Sequence, residues 1–125
     1  MALILIVDDS QYQRNIIKKI LETEGHEFLE AENGLSAIKV TLSQMPDCVF
    51  VDKLMPELDG EKFLQFIKQR NIMIPVIVIT ADIQESTYNQ CMNLGAFAVV
   101  NKPLKAEKLK DLLQRALLLT KKDSE

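Results

Sequence analysis

The chain has 125 residues and a formal net charge of −3, with 47% hydrophobic and 26% charged residues. That length suits one domain with one core, and the mix is that of an ordinary soluble globular protein. The acidic balance gives no reason to expect nucleic-acid binding, and no apolar stretch approaches the ~20 residues that span a bilayer.

Short apolar runs alternate with amphipathic stretches, the pattern of parallel βαβ units. Residues 1–7 are apolar but lack a basic flank and a small-residue cleavage site, so they read as a first strand, Leu3–Val7, and not as a signal peptide. Ile16, Ile17, Ile20 and Leu21 then form a helical stripe, with Gly25 as its stop signal. A weaker strand covers about Glu27–Ala31. Asn33-Gly34 would ordinarily mark a hairpin, but Ala37, Ile38 and Leu42 behind it have helical spacing, so the pair is a strand-to-helix turn. Pro46 ends that second helix, and Cys48–Val51 is the third strand. Lys53–Asp59 is a loop, and a helix follows from about Glu61 to Arg70. Pro75 precedes strand four, helix four spans roughly Ile83–Asn93, and strand five is Phe97–Val100. The last helix begins near Ala106, and Lys121–Glu125 is expected as a frayed polar tail. Cys48 and Cys91 are far apart and form no metal pattern; buried thiols in a reducing cytosol are the expectation.

Five residues stand where these strands stop. Asp8 and Asp9 end the first, Asp52 the third, Thr80 the fourth, and Lys102 follows the fifth. In an open parallel α/β sheet such ends share one edge, and ligands bind there. Acids, a hydroxyl and an ammonium gathered in this way suit a divalent cation and a phosphoryl group. Two carboxylates ~5 Å apart at an effective dielectric of ~20 repel by roughly 3 kcal/mol, so three acids beside one lysine make a poor structural device. The competing explanation, Asp8 or Asp9 as a helix N-cap, accounts for one acid and leaves Asp52, Thr80 and Lys102 unexplained. Lys102-Pro103 is a candidate cis bond, since only X-Pro bonds adopt cis at small cost.

At these positions the chain resembles the receiver domain of two-component response regulators: Asp8-Asp9, Asp52 with Met55-Pro56 and Gly60, Thr80-Ala81, and Lys102-Pro103. The resemblance covers essentially the whole chain, as a receiver domain over 1–120 and a short tail over 121–125. It implies an α/β fold, a (βα)5 doubly wound parallel sheet in the flavodoxin-like order 2-1-3-4-5, with strands one and three adjacent. It implies Asp52 as phosphoacceptor, Thr80 and Lys102 as partners of the phosphoryl oxygens, and Mg2+ on Asp8, Asp9, Asp52 and the backbone carbonyl of Leu54. The implied donor is a histidine kinase, and the implied location is the cytoplasm. The implied target is a downstream protein, met through the face made by helix four, strand five and helix five. Because only a short tail follows the last helix, such a receiver would act by binding, with no membrane insertion and no catalysis beyond its own phosphorylation and dephosphorylation. The alternative is a phosphorelay intermediate that passes the group to a histidine phosphotransfer protein.

Some positions depart from the family. Val99 stands where many receivers carry Tyr or Phe, and a valine has no ring to rotate. Phe97, two residues earlier, is expected on the same face as Val99, as core filler or as a substitute switch. Lys53 follows the acceptor at a commonly apolar position, as a solvated loop lysine or as a cation near the site. Leu54 offers no group to hold a water, which points to slow hydrolysis. It also argues against haloacid-dehalogenase-type turnover, which needs an aspartate there. A flavodoxin-like cofactor carrier is disfavoured by the acidic Asp8-Asp9-Ser10 loop and by the lack of a GxGxxG or P-loop motif. Gln84, Glu85 and Tyr88 with Lys105 and Lys108 form either a partner patch or a solvated face; Leu118 and Leu119 form a dimer contact or a lid on the core; His26 is a surface turn residue.

Overall fold

The computed structural model describes residues 2–55 and 58–124, with side chains for all of these except residues 24 and 120–124. Pro56 of the Met55-Pro56 pair therefore lies outside the described residues. In chain order the elements are β1 (Leu3–Val7), α1 (Gln11–Leu21), a 3-10 turn (Glu22–Glu24), β2 (Glu27–Ala31), α2 (Gly34–Gln44), β3 (Cys48–Asp52), α3 (Gly60–Gln69), β4 (Val76–Thr80), α4 (Glu85–Asn93), β5 (Ala98–Asn101) and α5 (Ala106–Ser124). The five strands are all parallel, in the order β2-β1-β3-β4-β5. The order and the fold class are those the family resemblance implied.

Strand alternation divides the interior into two cores. Ile4, Ile6, Cys48, Phe50, Ile77, Ile79 and Val100 face Ile17 and Leu21 of α1 and Leu109, Leu113 and Ala116 of α5. Leu5, Val7, Val49, Val51, Val76 and Val78 face Ala37 of α2, Phe63, Leu64 and Ile67 of α3, and Cys91 of α4. Because helices cover both faces, β3 and β4 are buried at every residue, which is why they read as unbroken apolar runs. Only the last residue of each, Asp52 and Thr80, is polar enough to offer chemistry.

Four local expectations change. Phe97 packs into the α1/α5 core and Val99 into the opposite one, so the two do not share a face. The reason is that β5 starts at Ala98; Phe97 precedes the strand, where side-chain alternation does not apply. α4 starts at Glu85 and not at Ile83. The Asp82 carboxylate accepts the Gln84 N–H at 2.9 Å and the Thr87 hydroxyl at 2.6 Å, and this turn holds 82–84 out of the helix. α5 continues to Ser124 through the stretch expected as a tail, and Glu125 lies outside the described residues. His26 is half-buried, and its Nδ1 accepts the Ala2 N–H at 3.1 Å.

The strand-to-helix reading of Asn33-Gly34 holds, with Asn33 capping α2 through the Ser36 amide at 2.8 Å. Gly34 also donates its N–H to the Leu58 carbonyl at 3.0 Å, so α2 pins the loop between β3 and α3. A Cβ on Gly34 would overlap that same backbone carbonyl. Gly34→Ala should therefore lower stability by about 1–3 kcal/mol, although alanine is the better helix former by about 1 kcal/mol. Urea unfolding checks this, and an unchanged or raised midpoint would contradict the close approach.

Candidate functional site

The register decides which strand ends meet. Val7 pairs Val51, and Asp52 pairs Ile79, so Asp8 and Asp9 leave β1 beside Asp52. One carboxylate oxygen from each of Asp8, Asp9 and Asp52 lies within 4.8 Å of the others. Asp8 and Asp52 are buried and Asp9 is exposed, so the group opens to solvent on one side. Lys102 Nζ approaches Asp52 Oδ2 at 3.4 Å, and the Leu54 amide donates to Asp52 Oδ1 at 3.3 Å. Thr80 ends β4, and the Lys102 amide donates to its carbonyl at 2.9 Å, which extends the β4–β5 ladder to the lysine. The Thr80 hydroxyl accepts the Asp82 N–H at 3.0 Å. The Lys102-Pro103 bond is cis.

The N-cap explanation for the acid pair does not survive. Ser10 caps α1, its hydroxyl accepting the Gln13 amide at 3.2 Å. Asp8 instead accepts the Ser10 N–H on Oδ1 at 2.9 Å, while its Oδ2 is buried with no hydrogen-bond partner among the described residues. Burial pushes the Asp8 carboxyl up to about 6; the Ser10 amide opposes this, Asp52 adds to it, Lys102 opposes it, and the neighbouring Asp9 carboxyl adds the least. A buried carboxylate oxygen without a donor is costly, and a cation among these oxygens would satisfy it. Magnesium takes hard oxygen ligands and needs only one or two carboxylates, with water and substrate completing its shell. The donor set and the orphaned oxygen fit such an ion.

Lys53 is half-buried and pairs with Glu61 of α3 at 3.8 Å. Leu54 is exposed at the mouth of the site. Asp82 lies on the loop after Thr80, its carboxyl lowered by the Thr87 hydroxyl and then the Gln84 amide. Reading from sequence missed Arg14, whose guanidinium is buried and donates to the Asp8 carbonyl. Its signal was available: Arg14 falls in line with Ile17 and Leu21 at helical spacing, a charge within an apolar stripe.

A doubly wound parallel sheet with three acids, a lysine and a threonine at its carboxyl edge defines a class of phosphoryl-accepting signalling domains. The model of the response regulator receiver domain matches residues 4–114, and the chain belongs to that family. Among relatives, the chemotaxis protein CheY of Bacillus subtilis is 36% identical over 91% of this chain and 96% of its own length. The regulatory protein AtoC of Escherichia coli is also 36% identical, over 93% of this chain; the chain spans a quarter of that longer protein. Among solved structures, a response regulator receiver domain from Clostridium thermocellum superposes with a TM-score of 0.90 at 29% identity, covering 97% of this chain and 98% of the other. Among the described residues no helix is long and apolar enough to cross a membrane.

The raised Asp8 carboxyl has a thermodynamic consequence in metal-free protein. Its pKa rises on folding from 3.8 to about 6, so between those values the folded state holds more protons than the unfolded. The stability this proton contributes is complete below about pH 4 and is lost as pH rises through about 6. Asp8→Asn should therefore gain on the wild type as pH goes from 4 to 7. Urea unfolding in chelator at several pH values checks it, and a pH-independent difference would contradict it.

Proposed function

We propose that the chain accepts a phosphoryl group on Asp52 with Mg2+ and thereby changes its binding to a protein partner. The observation that carries this is the placement of the Asp52 carboxylate. It sits at a rigid strand end, with a lysine on one oxygen, a backbone amide on the other and two more acids alongside. In the reaction an Asp52 oxygen attacks phosphorus, and the bond from phosphorus to the donor breaks. With a histidine kinase as donor, the electron pair returns to the imidazole nitrogen; with acetyl phosphate, acetate leaves. Rigid placement of the nucleophile supplies the in-line geometry that phosphoryl transfer requires. Lys102 meets a phosphoryl oxygen as a point charge, and Thr80 turns its hydroxyl from its own loop to another. Asp8, Asp9, Asp52 and the Leu54 carbonyl would hold the ion, which would supply charge neutralisation for the phosphoryl oxygens.

Movement of Thr80 releases the Asp82 N–H, and Asp82 holds the first turn of α4. The shift thus reaches the face of α4, β5 and α5 through one hydrogen-bonded loop. Two shallow recesses flank Val99 on that face, about 260 and 380 Å3, lined by Tyr88 and Glu85 on one side and Lys105 and Lys108 on the other. The kinase donor, the cytoplasmic setting and the protein target belong to this same proposal. A second reading, a relay that passes the group to a histidine phosphotransfer protein, is favoured by Val99, which has no ring to rotate at the β5 position where many receivers carry one.

Intact mass after acetyl phosphate and Mg2+ tests the proposal. The wild type should gain one phosphoryl group, lost on chelation before donor is added, and folded Asp52→Asn should gain none. A normal gain on Asp52→Asn places the acceptor elsewhere. Thermal melts give a second check. Mg2+ at a hundredfold excess over its Kd should stabilise the wild type by about 2.7 kcal/mol and Asp9→Ala by much less. A wild-type melt that ignores Mg2+ removes the metal from the reading.

A further inference from the structure

We propose that Arg14 is a positioning residue for the Asp8-Asp9 turn, and that cation affinity at the acid cluster depends on its guanidinium. The inference rests on the reading of that cluster as a metal site. Asp8 is held on three sides: its N–H donates to the Ala31 carbonyl at 3.0 Å, its carbonyl accepts from Arg14 Nη1, and its Oδ1 accepts the Ser10 N–H at 2.9 Å. What these bonds leave over is Oδ2, buried and without a hydrogen-bond partner among the described residues. Arg14 is itself fixed. Its Nε donates to Glu30 Oε1 at 2.8 Å and its Nη2 to Gln11 Oε1 at 2.7 Å, with only 9% of the side chain exposed. The planar fork therefore ties the end of β1 to β2 and to the first turn of α1. A lysine carries its three donors on one nitrogen and lacks the planar fork whose three separate nitrogens reach these acceptors.

The sign of the effect separates positioning from simple charge. Arg14 is a cation close to a cation site. Acting by charge alone, its removal would strengthen metal binding. Acting as a bracket, its removal leaves the Asp8 carbonyl buried without a donor, frees the turn, and weakens binding. Residues that orient metal ligands in this manner typically carry 10–100-fold in affinity.

The experiment is Mn2+ titration of the full chain, with free ion read by electron paramagnetic resonance and folding checked by circular dichroism. Arg14→Met should raise Kd about tenfold. Its acetyl phosphate rate should fall at low Mg2+ and return close to wild type at saturating Mg2+. Lys18→Met, which removes a different partner of Glu30, should leave Kd unchanged. A folded Arg14→Met with equal or tighter Kd overturns the proposal, as does an equal loss in Lys18→Met. If Arg14→Met does not fold, Arg14→Lys decides: weaker binding with the charge kept supports the bracket, and an unchanged Kd overturns it. A wild type that binds no Mn2+ overturns the metal reading itself, and the inference with it, before any variant is compared.

Discussion

Mutual repulsion among Asp8, Asp9 and Asp52 is the constraint on which the rest of this structure depends. Three carboxylates offer oxygens within 4.8 Å of one another at the edge of a sheet buried on both faces. Nothing in a small apolar core favours that arrangement. It persists because the strands carrying the acids are locked in register by the ladder β2-β1-β3-β4 and by apolar layers above and below. Burial of β1 and β3 drives the fold, and the carboxylates are carried to the edge as a consequence. Burial first, and the Asp52 charge to a lesser extent, raise the proton affinity of Asp8, and protonation is how a buried carboxyl sheds unfavourable charge.

The surrounding groups make sense as responses to that charge. Lys102 is delivered to Asp52 by the ladder that continues past β5 to Thr80. The Leu54 and Ser10 amides each give one bond to a carboxylate. Arg14 binds no acid of the cluster and instead holds the backbone from which Asp8 projects. Gly34 plays a similar part on the far side, fixing the loop after β3 through Leu58. The loop from Thr80 to α4 rests on four hydrogen bonds around Asp82, one of them from the Asn101 side chain at the end of β5.

Much of this was legible in the residues. Val76–Ile79 and Cys48–Val51 could only be fully buried strands, and a polar residue ending each one marked the edge. Asn33-Gly34 was resolved by the helical spacing behind it. The misses have physical causes. Phe97 was assigned a face by alternation, which fails one residue before a strand begins. The start of α4 was placed too early because a side chain, Asp82, outcompeted the helix for backbone partners. Arg14 was passed over because its three acceptors come from Asp8, Gln11 and Glu30, and only folding brings the last of these to it.

From the residues alone come the alternation of strands and helices, the set of chemical groups at the strand ends, and the family. The first two follow from local periodicity and side-chain type, which need no third dimension, and the family from the resemblance carried by those strand-end residues. Tertiary structure decided the rest: which acids touch, which oxygen is left without a donor, which cation faces Asp52 and which one braces Asp8. These are matters of ångströms between segments distant in the chain, set by register and by the packing of helices on the sheet, and no short-range pattern encodes them.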